Sequence, residues 1–476
     1  MKLSRKILYI MAAALLLAGC AGTPENTATE TPEVPERVET KEKTPVLKSE
    51  DTPEVAFAKK LRAKLNKNDI NGALELFNTI PEEIAGDKDM VFLHASLYIS
   101  AGRYDDAKKI ASELAEAYPD DLEILELNAV IAKATGDTAG YKSYSGKILA
   151  QDPYNASINV QVAQEYAMKR KWKQARANYK KALVSEPENV DALFGYGQTS
   201  FYAGDDQAAK ESFDKILEKD PENSMALAYL GKISAANENF LGAVKYIQEA
   251  IKYDDKNYDF YMDLGSYYHH QNKTALAIEQ WEKARDLDPT YFLAYAYLAG
   301  INDEKKNYDV ALENYRKVIE TNPDYFYAYE SAGILEWHAQ NWEAARNDFM
   351  MAYDVGGKKD WSYALMIAAT YFKEGNAFKA KEFLGPIMKK MNRESPEYLM
   401  VKFYYDNYSK NGAVTLSKKI NAVENTTKRG KLWFYYALYH DLMAGPEAAA
   451  EYYGKVVSMQ APMFFEYRIA EWELSL

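Results

Sequence analysis

Prolines recur at a fixed spacing of 34 residues through the middle of this chain. The series comprises Pro119, Pro153, Pro187, Pro221, Pro289 and Pro323, and Asp255 stands where one further proline would fall. A proline lacks the N–H that a helix interior requires, and it disfavours helical geometry at the preceding residue. Each proline therefore marks a helix boundary, and the even spacing predicts an array of repeats rather than one globular core.

Small and large residues follow the same spacing. When each repeat is numbered so that the proline is residue 32, position 8 is alanine or glycine in every repeat from 88–121 to 326–359. Position 20 is alanine in all of them except at Tyr141, and position 24 is usually bulky, as at Trp281. Small residues let two helices approach closely, and the bulky residue fills the space beside them. The pattern predicts tightly packed helix pairs.

The repeat spanning residues 258–291 carries this pattern most completely. Its pattern residues are Tyr261, Leu264, Gly265, Tyr268, Ala277, Trp281, Ala284 and Pro289. This arrangement resembles the tetratricopeptide repeat (TPR) family. The resemblance implies an all-α fold, in which antiparallel helix pairs stack into a right-handed superhelical solenoid.

The repeat pattern divides the chain into segments. Residues 54–87 form a divergent first helix pair, 88–359 a regular array, 360–462 degenerate pairs, and 463–476 a C-terminal capping helix. Together these segments contain about twelve helix pairs. One extra residue near Gly356 and Gly357 shifts the spacing before the degenerate pairs begin.

Residues 1–19 have the pattern of a secretory signal peptide. Three basic residues precede an apolar run at 7–17, which is shorter than the roughly 20 residues needed to span a bilayer. The run ends in Leu17-Ala18-Gly19-Cys20, which resembles a bacterial lipobox. The resemblance implies cleavage before Cys20 and its modification with acyl chains such as palmitate. An ordinary signal peptide and an uncleaved anchor are the alternatives.

Residues 20–53 differ in composition from the repeats, with five prolines among many threonines and glutamates. Such a segment has too few apolar residues to form a core, and as a flexible tether it would reach roughly 30 Å. Lipoproteins that remain in the inner membrane often carry aspartate after the cysteine, whereas this chain has Ala21. We expect a lipid anchor in the outer membrane facing the periplasm, with surface display as the alternative.

Charge and residue chemistry indicate binding rather than catalysis. The net charge is −12, and removal of the three basic residues of the signal leaves −15, which disfavours nucleic-acid partners. The five histidines are scattered without the spacing of metal sites, and Cys20 is the only cysteine. We expect no catalytic residues, no metal site and no cofactor, and therefore not an enzyme.

The resemblance to TPR proteins also identifies candidate partner-binding residues, because the concave surface of that family is lined by positions 2, 5, 9, 12 and 13 of each first helix. The candidates are Phe92, Gln164, Phe194, Gln198, Tyr202, Met262, Ser266, His269, Tyr327, Glu330 and Trp337. The lysine and asparagine with which one TPR subclass grips carboxylates are absent at these positions. The candidates favour an extended or helical protein segment held by aromatic contacts and amide hydrogen bonds. The alternative is that they pack on neighbouring repeats.

These observations predict a membrane-anchored scaffold or adaptor that binds protein or peptide partners in the bacterial envelope. Its context would be outer-membrane, secretion or pilus assembly, or regulation of cell-wall enzymes. The alternative is a glycan- or nutrient-binding lipoprotein working with an outer-membrane transporter. The regular spacing favours the scaffold, because it leaves no span for a large insertion. The oligomeric state is not indicated.

Overall fold

The computed structural model describes residues 52–356, 360–406 and 410–475. Within these ranges the chain forms 26 α-helices, one short 3-10 helix and no strand, which confirms the predicted all-α fold. The described residues divide into two compact units, one up to residue 219 and one from residue 220 onward, here called the N-terminal and C-terminal units. The predicted signal peptide, Cys20 and most of the tether lie outside the described residues.

The N-terminal unit contains α1 to α11. These helices are α1 (Pro53–Leu65), α2 (Ile70–Leu76), α3 (Glu82–Ala85), α4 (Lys88–Ser100), α5 (Tyr104–Ala117), α6 (Leu122–Ala134), α7 (Thr138–Gln151), α8 (Ala156–Met168), α9 (Trp172–Ser185), α10 (Val190–Tyr202) and α11 (Asp206–Lys219), and the 3-10 helix is Phe77–Thr79. Apart from the short α3, the helices form pairs, α1 with α2 and then α4 with α5 onward.

The C-terminal unit contains α12 to α26. These helices are α12 (Ser224–Ala236), α13 (Phe240–Tyr253), α14 (Tyr258–His270), α15 (Thr274–Leu287), α16 (Phe292–Glu304), α17 (Tyr308–Thr321), α18 (Phe326–His338), α19 (Trp342–Val355), α20 (Trp361–Lys373), α21 (Ala377–Lys390), α22 (Pro396–Asp406), α23 (Lys410–Asn421), α24 (Thr426–Ala444), α25 (Pro446–Val457) and α26 (Phe465–Ser475). The described helices thus include the twelve expected pairs, α1–α2 and α4–α25, and α26 follows them.

The proline positions are helix boundaries, as predicted. Pro153 lies between α7, which ends at Gln151, and α8, which begins at Ala156. The backbone N–H of Asn155 donates to the carbonyl of Asp152 at 3.2 Å and closes a turn around the proline. The side chain of Asn155 then accepts a hydrogen bond from the backbone N–H of Ile158 at 3.1 Å. This N-cap satisfies one of the free N–H groups at the start of the next helix.

The turn inside each pair also repeats. From α4 to α20, the residue that follows the C-cap of each first helix has a positive φ, at 34-residue intervals from 102 to 340 and then at 375. Glycine adopts this conformation at little steric cost and is common at this helix-ending position. Glycine occupies it at Gly102, Gly136, Gly204 and Gly375, and other residues occupy it at Arg170, Glu238, Asn272, Lys306 and Gln340.

The small and bulky positions pack against each other as predicted. Trp281 is only 1% exposed, and a Cβ atom placed on Gly265 would lie 2.4 Å from its Nε1 atom. Likewise, a Cβ on Gly333 would lie 3.0 Å from the ring of Phe349. The absence of a side chain at position 8 is therefore what lets the bulky ring of position 24 enter the space between the helices.

The last part of the C-terminal unit departs from the regular spacing. α20 begins 35 residues after α18, one residue more than the step between earlier first helices. α24 has 19 residues, whereas α18 and α20 have 13 each. α26 packs against both α24 and α25 and also reaches back to α18. No helix in the described ranges is long and apolar enough to cross a bilayer.

Candidate partner-binding surfaces

Positions 2, 5, 9, 12 and 13 of the first helices define a surface that we call the first-helix face. In the N-terminal unit, Gln164 is exposed, and Phe92, Phe194 and Gln198 are half-buried. Tyr202 is 51% exposed. These candidates share this face, and most of them keep some solvent access.

Aromatic contacts hold part of this face in place. The ring of Tyr202 stacks on Trp172 of the preceding repeat, with centroids 4.9 Å apart. Phe194 meets the ring of Phe213 edge-on at 5.7 Å. Tyr202 therefore offers one ring face to solvent while its neighbour fixes its orientation, and Phe194 contributes to packing as well as to the surface.

In the C-terminal unit the structure brings Met262, Ser266 and His269 together around Trp281. Met262 is 7% exposed, and its carbonyl accepts hydrogen bonds from Ser266 Oγ at 2.9 Å and from Trp281 Nε1–H at 3.3 Å. The His269 ring lies 5.8 Å from that of Trp281. Met262 is thus part of the packing between the two helices of its own repeat.

Glu330 and Trp337 of α18 are covered by later parts of the same unit. Trp337 is 2% exposed, and its indole N–H faces Glu473 Oε1 of α26 at 3.4 Å. Glu330 accepts a hydrogen bond from the hydroxyl of Tyr363, and burial raises the pKa of its carboxyl. Tyr327, at 54% exposure, remains accessible.

Helix α26 lies directly on the first-helix face. Arg468 forms two hydrogen bonds with the carboxylate of Asp303, at 2.7 and 2.5 Å. Trp472 stacks on His338 with centroids 4.1 Å apart. Asp303 and His338 occupy positions 12 and 13 of α16 and α18, so the helix spans two successive repeats.

Three residues of α26 point at the array. Phe465, Arg468 and Trp472 are separated by three and four residues, which places them on one side of the helix. Phe465 stacks on Tyr363 at 5.7 Å, and the guanidinium of Arg468 lies 4.2 Å from the ring centroid of Trp472. Asp303 and His338 could not be recognised from the sequence as parts of this contact, because their partners lie more than 130 residues later in the chain.

A buried ionic cluster holds the start of α26. Glu466 is fully buried, and burial raises the pKa of its carboxyl to about 7. Tyr435 donates a hydrogen bond to its Oε1 atom at 3.0 Å, and Lys431 Nζ lies 3.7 Å from the same oxygen. Burial alone would lower the pKa of Lys431, but Glu466 and Asp360 raise it overall. The cluster binds α26 to α24.

Within the described parts of the chain, no group of three or more His, Cys, Asp or Glu side chains is arranged to hold a metal ion. Burial lowers the pKa of His94 and His440, and burial together with Arg468 lowers that of His338. The surfaces described above consist of aromatic rings, amides and paired ions, which are groups suited to contact with another polypeptide.

Two sequence models described as Tetratricopeptide repeat match the chain. One matches residues 163–224, 198–250, 230–292 and 304–359, and the other matches residues 64–131. Together they cover more than half of the 476 residues. The chain belongs to the tetratricopeptide repeat family. The matching models are repeat models, and the TPR scaffold is typical of non-enzymatic proteins that bind other proteins.

Solved structures of other TPR proteins are similar over part of the chain. PilF of Pseudomonas aeruginosa is 18% identical, with 43% of this chain and 93% of PilF covered and a TM-score of 0.38. MamA is 26% identical, with 34% and 95% covered and a TM-score of 0.31. YrrB, a TPR protein described as having an unusual peptide-binding site, is 22% identical, with 41% and 97% covered and a TM-score of 0.31. A comparison with curated proteins gave no match.

Proposed function

We propose that this TPR protein is a lipid-anchored scaffold that binds protein partners in the bacterial envelope. The observation that carries the proposal is the position of α26 on the first-helix face. There, the amphipathic helix α26 is held by the pairing of its Arg468 with Asp303 and by the stacking of its Trp472 on His338. A surface that binds a helix of its own chain in this way has the chemistry to bind a helix of a partner.

In the N-terminal unit, the first-helix face keeps exposed candidates. Gln164 is exposed and Tyr202 is 51% exposed. In the C-terminal unit Met262 and Trp337 are buried, and Tyr327 is the one exposed residue among the candidates there. An amide and a ring presented on a rigid helical array are suited to hydrogen bonding and stacking against a bound segment at low entropic cost. We therefore place the main partner-binding surface on the N-terminal unit.

A position-specific crosslinking experiment tests this placement. A photoreactive amino acid is introduced in the full-length protein at Gln164, at Tyr202, or at Leu241, which is 68% exposed on a second helix and serves as control. In intact cells we expect Gln164 and Tyr202 to crosslink to the same protein and Leu241 to give no such product. Equal crosslinking at all three positions, or none at the first two, contradicts the proposal.

The anchor is a separate part of the proposal and rests on the Leu-Ala-Gly-Cys motif ending at Cys20. We expect a Cys20→Ser variant to lose incorporation of an alkyne-labelled fatty acid and to leave the membrane fraction, since one or more acyl chains supply the membrane affinity. Fractionation that separates inner from outer membrane then tests the predicted location. Labelling that persists in the variant contradicts lipidation at this residue.

The glycan-binding alternative predicts a different outcome of these experiments. If glycan arrays give specific binding while crosslinking at Gln164 and Tyr202 yields no protein, the scaffold proposal fails and the alternative gains support. The envelope roles that such a scaffold would serve are outer-membrane, secretion or pilus assembly and the regulation of cell-wall enzymes.

A further inference from the structure

A chain of aromatic rings runs along the N-terminal ends of three first helices, α14, α16 and α18. We call it the aromatic ladder, and its members are Tyr258, Tyr291, Phe292, Tyr325, Phe326 and Tyr327. Ring centroids are 4.6 Å apart for Tyr258 and Tyr291, and 5.3 Å for the equivalent pair one repeat later, Phe292 and Tyr325. Tyr291 and Phe292 connect the two pairs at 6.5 Å, and Tyr327 extends the series at 5.7 Å from Tyr325.

Two tyrosines of the ladder occupy the N-cap positions at which the preceding repeats have asparagine. Asn189, Asn223 and Asn257 are the N-cap residues of α10, α12 and α14, and the side chain of each accepts a backbone hydrogen bond. In the next two repeats the N-cap residues are Tyr291 and Tyr325, and neither side chain caps its helix. Loss of an N-cap destabilises a helix, and such local departures from folding rules are expected where a surface serves function.

Carboxylates lie beside the first half of the ladder. The charge of Asp259, together with burial and Asp288, raises the pKa of the Tyr258 hydroxyl. Burial and, to a smaller extent, the charge of Asp259 raise the pKa of the Tyr291 hydroxyl to about 12. Asp259 is exposed and Asp288 half-buried, so their charges are available to a positively charged group that approaches the rings.

We propose that the aromatic ladder binds an extended, proline-rich and basic segment of a partner protein. Proline-rich segments adopt the polyproline II conformation, which is already ordered before binding and docks on surfaces lined with aromatic rings. Arginine or lysine side chains of the same segment would stack on tyrosine faces and pair with Asp259 and Asp288. This inference rests on the proposed function only in requiring that the partner is a protein.

The test measures binding of a fluorescent synthetic peptide of repeated Arg-Pro-Pro triplets to the full-length protein in detergent. Tyr325→Asn removes a ring while supplying the N-cap residue of the preceding repeats. Tyr327→Ala removes a ring that is 54% exposed, so folding should be little affected. We expect each substitution to weaken binding by roughly tenfold. Tyr154→Ala, which removes a 48% exposed ring that lies outside both the first-helix face and the ladder, is the matched control and should leave affinity unchanged.

Two altered peptides separate the contribution of the preformed extended conformation from that of the positive charge. Replacement of proline by glycine keeps the charge but removes the preformed extended conformation, and replacement of arginine by glutamate reverses the charge. Both should bind at least roughly tenfold more weakly. The inference is overturned if the glycine peptide binds as well as the proline peptide, if Tyr154→Ala weakens binding as much as Tyr327→Ala, or if only an oligosaccharide binds the ladder. If crosslinking at Gln164 and Tyr202 persists in that case, the scaffold proposal stands without it.

Discussion

Position 8 of the repeat offers a matched pair of glycines, Gly231 and Gly265, whose replacement by alanine should affect stability in opposite directions. They lie 34 residues apart, inside α12 and α14. Alanine is more favourable than glycine in a helix interior by roughly 1 kcal/mol. Both substitutions therefore gain the same helix propensity, and they differ only in the space that the new methyl group meets.

That space is different at the two sites. At Gly231 the nearest atom to a new Cβ is the carbonyl oxygen of Ala243 at 3.4 Å, close to an ordinary contact. At Gly265 the new Cβ would lie 2.4 Å from Nε1 of Trp281, a ring that is 1% exposed and donates to the Met262 carbonyl. The ring must shift, and overpacking of this kind costs roughly 1–3 kcal/mol, with about 1 kcal/mol more if the hydrogen bond breaks.

We expect Gly231→Ala to stabilise its repeat by roughly 0.5–1 kcal/mol and Gly265→Ala to destabilise its repeat by about 1–2 kcal/mol after the propensity gain. Repeat arrays open locally, so the suitable assay is hydrogen exchange followed by mass spectrometry on peptides from α12 to α15. A difference of about 2 kcal/mol between the two variants in the free energy of local opening corresponds to a roughly 30-fold difference in the opening equilibrium constant. If Gly265→Ala exchanges no faster than Gly231→Ala, the packing argument for the repeat is refuted.

Two further predictions concern the attachment of α26. Arg468→Ala leaves the Asp303 carboxylate, which is 10% exposed, without its arginine, so we expect α26 to open more readily by about 1–3 kcal/mol. Arg285→Ala is the control, because its partner Asp286 is 67% exposed, and it should change stability by less than about 1 kcal/mol. If Arg468→Ala and Arg285→Ala change hydrogen exchange equally, the prediction is contradicted. Burial raises the pKa of the Glu466 carboxyl from 4.5 to about 7. Its contribution to the stability of the closed α26 is therefore fully present below about pH 4.5 and is lost as the pH rises through about 7. The lowered pKa of His338, which stacks on Trp472, acts in the opposite direction. The test is therefore the difference between the unmodified protein and Glu466→Gln, corrected for intrinsic exchange: the contribution of Glu466 should favour the closed helix more at about pH 5 than at about pH 8.

The helix boundaries could be predicted because their signals are local. Pro153, the N-cap Asn155 and Gly136 act on backbone groups within a few residues of themselves, so spacing alone located the turns. Packing within a pair was also predictable, since Gly265 and Trp281 are only 16 residues apart. Both kinds of signal recur in each repeat, and this recurrence strengthened the inference.

The candidate surface was less predictable. Trp337 occupies a position that faces the concave side in this family, yet it is 2% exposed because α26 covers it. The aromatic ladder was also not recognised, apart from Tyr327, because single tyrosines at repeat positions look like packing residues. Only the distances between rings in successive repeats reveal that they form a continuous series.

The amino-acid sequence by itself therefore determined the repeat length, the positions of the turns and the pairing of neighbouring helices, because these depend on contacts between residues close in the chain. The tertiary structure decided which part of the first-helix face is open. Arg468 reaches Asp303 across 165 residues, and no local pattern specifies such a contact. Its formation depends on how successive pairs pack within the C-terminal unit, where small angular differences between repeats accumulate.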